Sequence, residues 1–131
     1  MIHVRAMIRG INYNTEISNL IHAVDGSVNQ ELYYTITKRF FLVQRDEYSS
    51  SSDTIVPLTE IEAHEWLFKH ARCKLAELLR SSRGTSGTTM RMKKEYKDAL
   101  QLMALLEQTS MNAFCTRILN KAAEEFIQSL K

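Results

Sequence analysis

Arg91 is the side chain best placed by its neighbours to recognise a partner. It stands in Gly87-Thr-Thr-Met-Arg-Met-Lys-Lys94, and alternate residues of an extended chain point to opposite sides. Met90 and Met92 then face a core, while Thr89 and Arg91 face outward, with Gly87 and Lys93 at the ends. A guanidinium presents a rigid fork of donors that matches guanine O6 and N7, and a threonine hydroxyl donates or accepts at several bases. The chemistry on offer is hydrogen-bonded readout of nucleic acid. Further along, Thr109 and Ser110 are suited to N-cap a helix. That places the amides of Met111 and Asn112 at a free helix N-terminus, where a phosphate can sit. Lys93 and Lys94 supply charge for the same backbone.

Other candidates for chemistry are weaker. His64, His70 and Cys73 fall on one expected helix, but a metal site normally needs three or four ligands. Ser49 to Ser52 offer hydroxyls with no base placed beside them, and read as a loop. Tyr33, Tyr34, Phe40 and Phe41 could stack on single-stranded bases, yet cross-strand core packing explains them more simply. There is no Gly-rich phosphate loop, zinc-finger cysteine spacing or paired-carboxylate signature. These residues therefore predict a protein that is not an enzyme and carries no metal or cofactor.

The elements that must position Arg91 follow from periodicity. A helix from the lysines to about Gln108 buries Tyr96, Ala99, Leu100, Met103, Ala104 and Leu106, and a second, from Met111 to the end, buries Phe114, Cys115, Ile118, Leu119, Ala122, Phe126 and Ile127. Steps of three and four are the helical signature. Some forty residues make a poor core alone. A lone strand is also an unpaired edge. A second copy answers both needs, with Met90, Met92, Leu100, Phe114, Ile118 and Leu119 in the shared core. Two paired strands make a ribbon of the width that B-DNA's major groove admits.

This layout resembles the ribbon-helix-helix (MetJ/Arc) DNA-binding superfamily over residues 87–128. The family's Ser-x-Asn-x-Phe-Ile-x-x-Ala-Leu turn and helix is similar to Ser110-Met-Asn-Ala-Phe-Cys-Thr-Arg-Ile-Leu119, with Cys115 at the usual isoleucine and Ile118 at the usual alanine. The usual Pro or Ser opening the first helix is replaced by Lys93 or Lys94, which leaves the strand–helix boundary open. The resemblance implies that outward strand residues, here Thr89 and Arg91, touch bases. It also implies a homodimer on double-stranded DNA acting as a transcriptional repressor of a bacterium, phage or plasmid.

Upstream, alternation in Ile2, Val4, Ala6 and Ile8 predicts a strand, and residues 15–24 read as extended. Leu32-Tyr-Tyr-Thr-Ile-Thr37 and Arg39-Phe-Phe-Leu-Val-Gln44 read as a hairpin. Thr54 to Leu58 reads as an edge strand, because Pro57 cannot donate to a ladder. Thr59 and Glu62 form a capping box opening one helix that runs to Arg80, with Ala63, Trp66, Leu67, Ala71, Leu75, Leu78 and Leu79 on its apolar face. Leu32 to Leu42 and Pro57 to Leu67 loosely resemble a small bacterial domain pattern of unassigned function. Lys38 stands where that pattern carries glycine, which puts the form of the turn in question.

The expected fold class is thus α+β. Residues 1–80 form a small antiparallel sheet with one helix, 81–88 a flexible Gly/Ser/Thr linker, and 89–131 the ribbon-helix-helix unit. Residues 1–83 carry 10 basic and 10 acidic side chains and residues 84–131 carry 7 and 5, so placement rather than total charge makes the electrostatic footprint. Arg91, Lys93, Lys94 and Lys97 cluster at one end, joined by Arg80 and Arg83, while Glu124 and Glu125 lie at the other. No run approaches the ~18 apolar residues of a membrane span, and the charged start is unlike a signal peptide. Cys73 and Cys115 are expected as reduced thiols in a cytoplasm. Two further readings stay open: a plasmid partition or conjugation accessory protein, and an antitoxin or adaptor whose N-terminal domain binds a protein partner. An ordinary strand and helical hairpin within one globular domain is the plain competitor, with the basic cluster a solvated face.

Overall fold

The computed structural model describes residues 3–26, 29–46, 49–82, 86–87 and 89–131, with backbone only at 46 and 49–52. Strands come first. β1 (Arg5–Ile8) and β2 (Ile11–Asn14) form an antiparallel hairpin, followed by a 3₁₀ turn at Thr15–Ile17. β3 (Asn19–Val24), β4 (Asn29–Tyr34), β5 (Phe40–Asp46) and β6 (Ser49–Leu58) form a second antiparallel sheet in the order β3-β4-β5-β6. Four helices follow: α1 (Glu60–His70), α2 (Arg72–Ser81), α3 (Lys94–Leu106) and α4 (Met111–Ser129). The chain is α+β, and it divides into two compact units, Met1–Leu75 and Ala76–Lys131, within α2. Ile2 of the expected first strand, and Arg83, Gly84, Thr85 and Thr88 of the expected linker and ribbon, lie outside the described residues.

In the first unit the period-two alternation of β4 and β5 sorts side chains onto two faces. One face carries Tyr33, Phe41 and Val43, buried with Tyr13 and Ile55, and Val4, Ala6, Ile8 and Ile11 of the hairpin region pack against them. Tyr33 stacks on Phe41 with ring centroids 5.3 Å apart, and Tyr13 meets Phe41 edge-on. The other face carries Leu32, Phe40 and Leu42, buried along with Ala63, Trp66 and Leu67 of α1. Trp66 Nε1 donates to Gln30 Oε1 at 3.1 Å and so ties α1 to β4. The capping box at Thr59 and Glu62 forms as the sequence indicates.

Two tight turns use left-handed backbone. Arg9 (φ 52°) and Gly10 (φ 77°) make the two-residue connection of the first hairpin, the primed geometry that matches strand twist. Lys38 (φ 64°) occupies the glycine position of the second. There Thr35 N–H donates to the Arg39 carbonyl and Lys38 N–H to the Thr35 carbonyl. The turn therefore keeps a conformation suited to glycine and imposes it on lysine.

Two expectations are corrected. The single helix from Thr59 to Arg80 is broken at Ala71, whose φ −155° and ψ 74° leave the helical region. Its amide still donates to Leu67 and its carbonyl accepts from Leu75, so Ala71 ends α1 and starts α2. Arg72 Nε donates to the Phe68 carbonyl at 3.3 Å, across the break. The serine tract Ser49 to Ser52 is the start of β6 and not a loop. Pairing with β5, through an irregularity between Gln44 and Asp46, outweighs serine's weak strand preference.

The second unit is built differently. α3 ends in a Schellman-type closure: Gln108 takes a left-handed φ of 56°, Thr109 N–H donates to Ala104 and Gln108 N–H to Leu105. That arrangement satisfies the carbonyls a helix end leaves open. Ser110 then caps α4, its Oγ accepting from Ala113 N–H at 3.1 Å. Among the described residues of this unit, the buried hydrophobic ones are Ala76, Ala104, Phe114 and Leu130.

Candidate nucleic-acid interface

Residues 89–93 pair with no strand among the described residues, and α3 begins at Lys94. Lys93 is the N-cap, extended at φ −60° and ψ 143°, and makes no side-chain capping bond. The reason is chemical: an ammonium has donors and no acceptor for the first-turn amides. The strand–helix boundary left open by the sequence thus falls between Lys93 and Lys94. Thr89, Met90, Arg91, Met92 and Lys93 are all exposed, as is Gly87. Met90 is 56% and Met92 40% exposed. Neither methionine is in a core within the single chain.

The segment borders an open groove of about 420 Å³ lined by Met90, Arg91, Met92, Lys97 and Met111. Arg91, the expected base reader, is therefore brought to the same place as the first residue of α4. Gly87, Thr89, Lys93, Lys94, Ser110 and Asn112 do not line it. Lys97 was legible only as part of a basic cluster. Its place in the first turn of the helix that follows Arg91 is the signal that could have put it near this segment. At α4's N-terminus, the amides of Met111 and Asn112 have no acceptor among the described residues, in keeping with the open donors of a helix start.

The charges divide by partner. Lys94 pairs with Asp98 at 3.1 Å. Lys93 lies over the Tyr96 ring, 5.8 Å from its centroid. Among the described residues, no carboxylate pairs with Arg91, Lys93 or Lys97. Arg80 does not join this cluster as expected. Its guanidinium binds both carboxylate oxygens of Glu124, which sits thirteen residues beyond Met111 on α4, roughly 20 Å at the helical rise. That bond, then one from Gln128, holds the Glu124 carboxyl below its ordinary value. Arg117 pairs with Glu107 and lies over the Phe114 ring.

Of the residues expected in a shared core, Phe114 is buried inside the protomer and Leu100 half-buried. Ile118 and Leu119 are exposed, Leu119 at 48%. Along α4 the apolar residues Met111, Cys115, Ile118, Leu119, Ala122 and Phe126 recur at helical spacing, so they share one stripe. On α3, Tyr96, Met103 and Leu106 are exposed as well.

In the first unit the alternative chemistries have structural uses. Phe41 and Tyr33 are sealed in the core, and Phe40 is buried, so they offer no stacking platform. His70 packs on Trp66 and His64 edge-on to Phe40, and Cys73 is an exposed free thiol. Among the described residues no three or more His, Cys, Asp or Glu side chains gather to hold a metal ion. No helix among them is long and apolar enough to cross a membrane. Neither a protein family, nor a curated protein, nor a solved structure was found to match the chain.

Proposed function

We propose that the chain is a dimeric, sequence-specific DNA-binding protein that inserts a two-stranded ribbon into the major groove, most simply as a transcriptional repressor. One observation carries the reading. The segment with Arg91 pairs with no strand among the described residues and borders a groove with Lys97 and Met111, the first residue of α4. A second copy would supply the antiparallel partner and turn Met90 and Met92 inward. It would also cover the α4 stripe around Ile118 and Leu119. Thr89 and Arg91 would then face base edges, with Gly87 at the end of the ribbon. Lys93, Lys94, Ser110 and the amides of Met111 and Asn112 would hold the phosphates that set its register.

Fluorescence-anisotropy titration of wild type and Arg91→Ala onto DNA upstream of the protein's own gene tests this. The salt should be ~150 mM with scrambled competitor present, because non-specific binding depends strongly on salt. The expected result is specific binding by wild type and a loss of about 1–3 kcal/mol in the variant. Equal binding to both DNAs by wild type, or an Arg91→Ala variant as selective as wild type, would sink the ribbon reading.

A further inference from the structure

β3 and β6 are the two edges of the four-stranded sheet. The hairpin bond from Thr35 N–H to the Arg39 carbonyl sets the phase of β4, since antiparallel residues alternate in the direction their backbone groups point. Glu31 and Tyr33 turn toward β5, and Gln30, Leu32 and Tyr34 toward β3. Their partners there are Val24, His22 and Asn19. The amide and carbonyl of Ala23, between His22 and Val24, therefore point away from the sheet. No backbone group among the described residues pairs with them.

Stable proteins guard such edges with proline, charged side chains or a covering element. β6 carries Pro57, whose nitrogen has no hydrogen to donate. β3 reads Asn-Leu-Ile-His-Ala-Val, with neither proline nor a Lys, Arg, Asp or Glu. It does carry an irregularity between Leu20 and His22, yet Leu20 remains 45% exposed. The sheet thus has one guarded edge and one that invites a strand.

We propose that β3 pairs antiparallel with β3 of a second copy of this chain. The strand brings no like charges together when it meets itself, and it offers no counter-charge to an acidic or basic foreign strand. Self-pairing about a two-fold axis covers the open edge on both copies and leaves the guarded β6 edges outermost. Taken by itself, this interface therefore closes at two copies. This interface lies wholly in the first unit and does not depend on the DNA-binding reading of the second.

The test is amide hydrogen exchange at Ala23 in the full chain, followed by NMR across a dilution series. The same series is run on Leu20→Lys and on Leu119→Asp. Leu20 is 45% exposed, so lysine there leaves the core intact while placing a charge on the open strand, one of the devices that block edge pairing. The expected result is an Ala23 amide protected at high concentration, exchanging faster on dilution, and up to about fivefold less protected in Leu20→Lys. Leu119→Asp should keep that protection even if it abolishes DNA binding, which separates this interface from the ribbon. An Ala23 amide that exchanges freely at every concentration would leave the edge to a foreign strand and overturn the proposal. Protection indifferent to both dilution and Leu20→Lys would overturn it equally.

Discussion

The two units solve the burial problem in opposite ways. The first closes its core within one chain: Leu32, Phe41, Val43 and Leu67 are fully buried between a helix, a sheet and a hairpin. The second has two long helices and a short one, and leaves Met90, Tyr96, Met103, Leu106, Ile118 and Leu119 in solvent. A sheet covered on both faces encloses volume. A pair of helices cannot, because each has a circumference and only one neighbour. Apolar surface contributes about 25 cal/mol per Å² when removed from water, so the second unit has the most to gain from association.

The largest test of this contrast is a matched pair of substitutions. Phe41→Ala should cost about 3–5 kcal/mol and lower the unfolding midpoint of the first unit at every protein concentration. Leu119→Asp should leave that midpoint alone and remove the association made by the second unit, so that in sedimentation the variant forms a smaller assembly than wild type. A wild type that sediments as a monomer at micromolar concentration would erase the contrast.

A smaller effect comes from two of the three non-glycine residues held left-handed among the described residues, Lys38 in the first unit and Gln108 in the second. Gln108→Gly and Lys38→Gly should each stabilise by up to about 1 kcal/mol, since relief of the left-handed cost is partly offset by glycine's greater unfolded-state entropy. Denaturant midpoints would show it. If the second unit folds only as a dimer, the Gln108 gain should also appear as tighter self-association, and the Lys38 gain should not.

The smallest effect is at a cap. Thr59→Ala should cost about 0.5–2 kcal/mol. The backbone amide of Thr59, and then its side chain, hold the Glu62 carboxyl below its ordinary value. A carboxylate lowered on folding stabilises above its unfolded value, and that contribution disappears as pH falls through the folded one. Acid titration of wild type should therefore lose stability below the usual carboxylate range, and Thr59→Ala should lose less of it. Parallel curves for the two proteins would show that the Thr59 hydroxyl contributes nothing to the shift in solution.

Much of the fold was legible because local chemistry agreed with it. The capping box at Thr59, the cap at Ser110, the edge character of the Pro57 strand and the strands around Phe41 all depend on residues a few positions apart. The break at Ala71 was not legible, since Leu67, Ala71 and Leu75 continue a perfect i, i+4 face. The strand at Ser49 depended on a partner, and the hairpin at Arg9-Gly10 lacked the usual Asn-Gly or Asp-Gly signal. At the candidate interface, Arg91 and Ser110 could be named from sequence, whereas Lys97 emerged only from the groove. Arg80 was grouped with the basic cluster because nearness in sequence cannot reveal its bond to Glu124.

Periodicity and capping chemistry alone determined which segments are helices or strands and which faces are apolar, because those properties repeat over three or four residues. Only the tertiary structure decided which apolar faces meet a partner within the chain and which charges are already matched. Those outcomes depend on contacts between residues dozens of positions apart, as Arg80 with Glu124 and Trp66 with Gln30 show. Phe114 and Leu119 look equivalent in the sequence, yet the first is enclosed by its own chain and the second stays exposed to solvent.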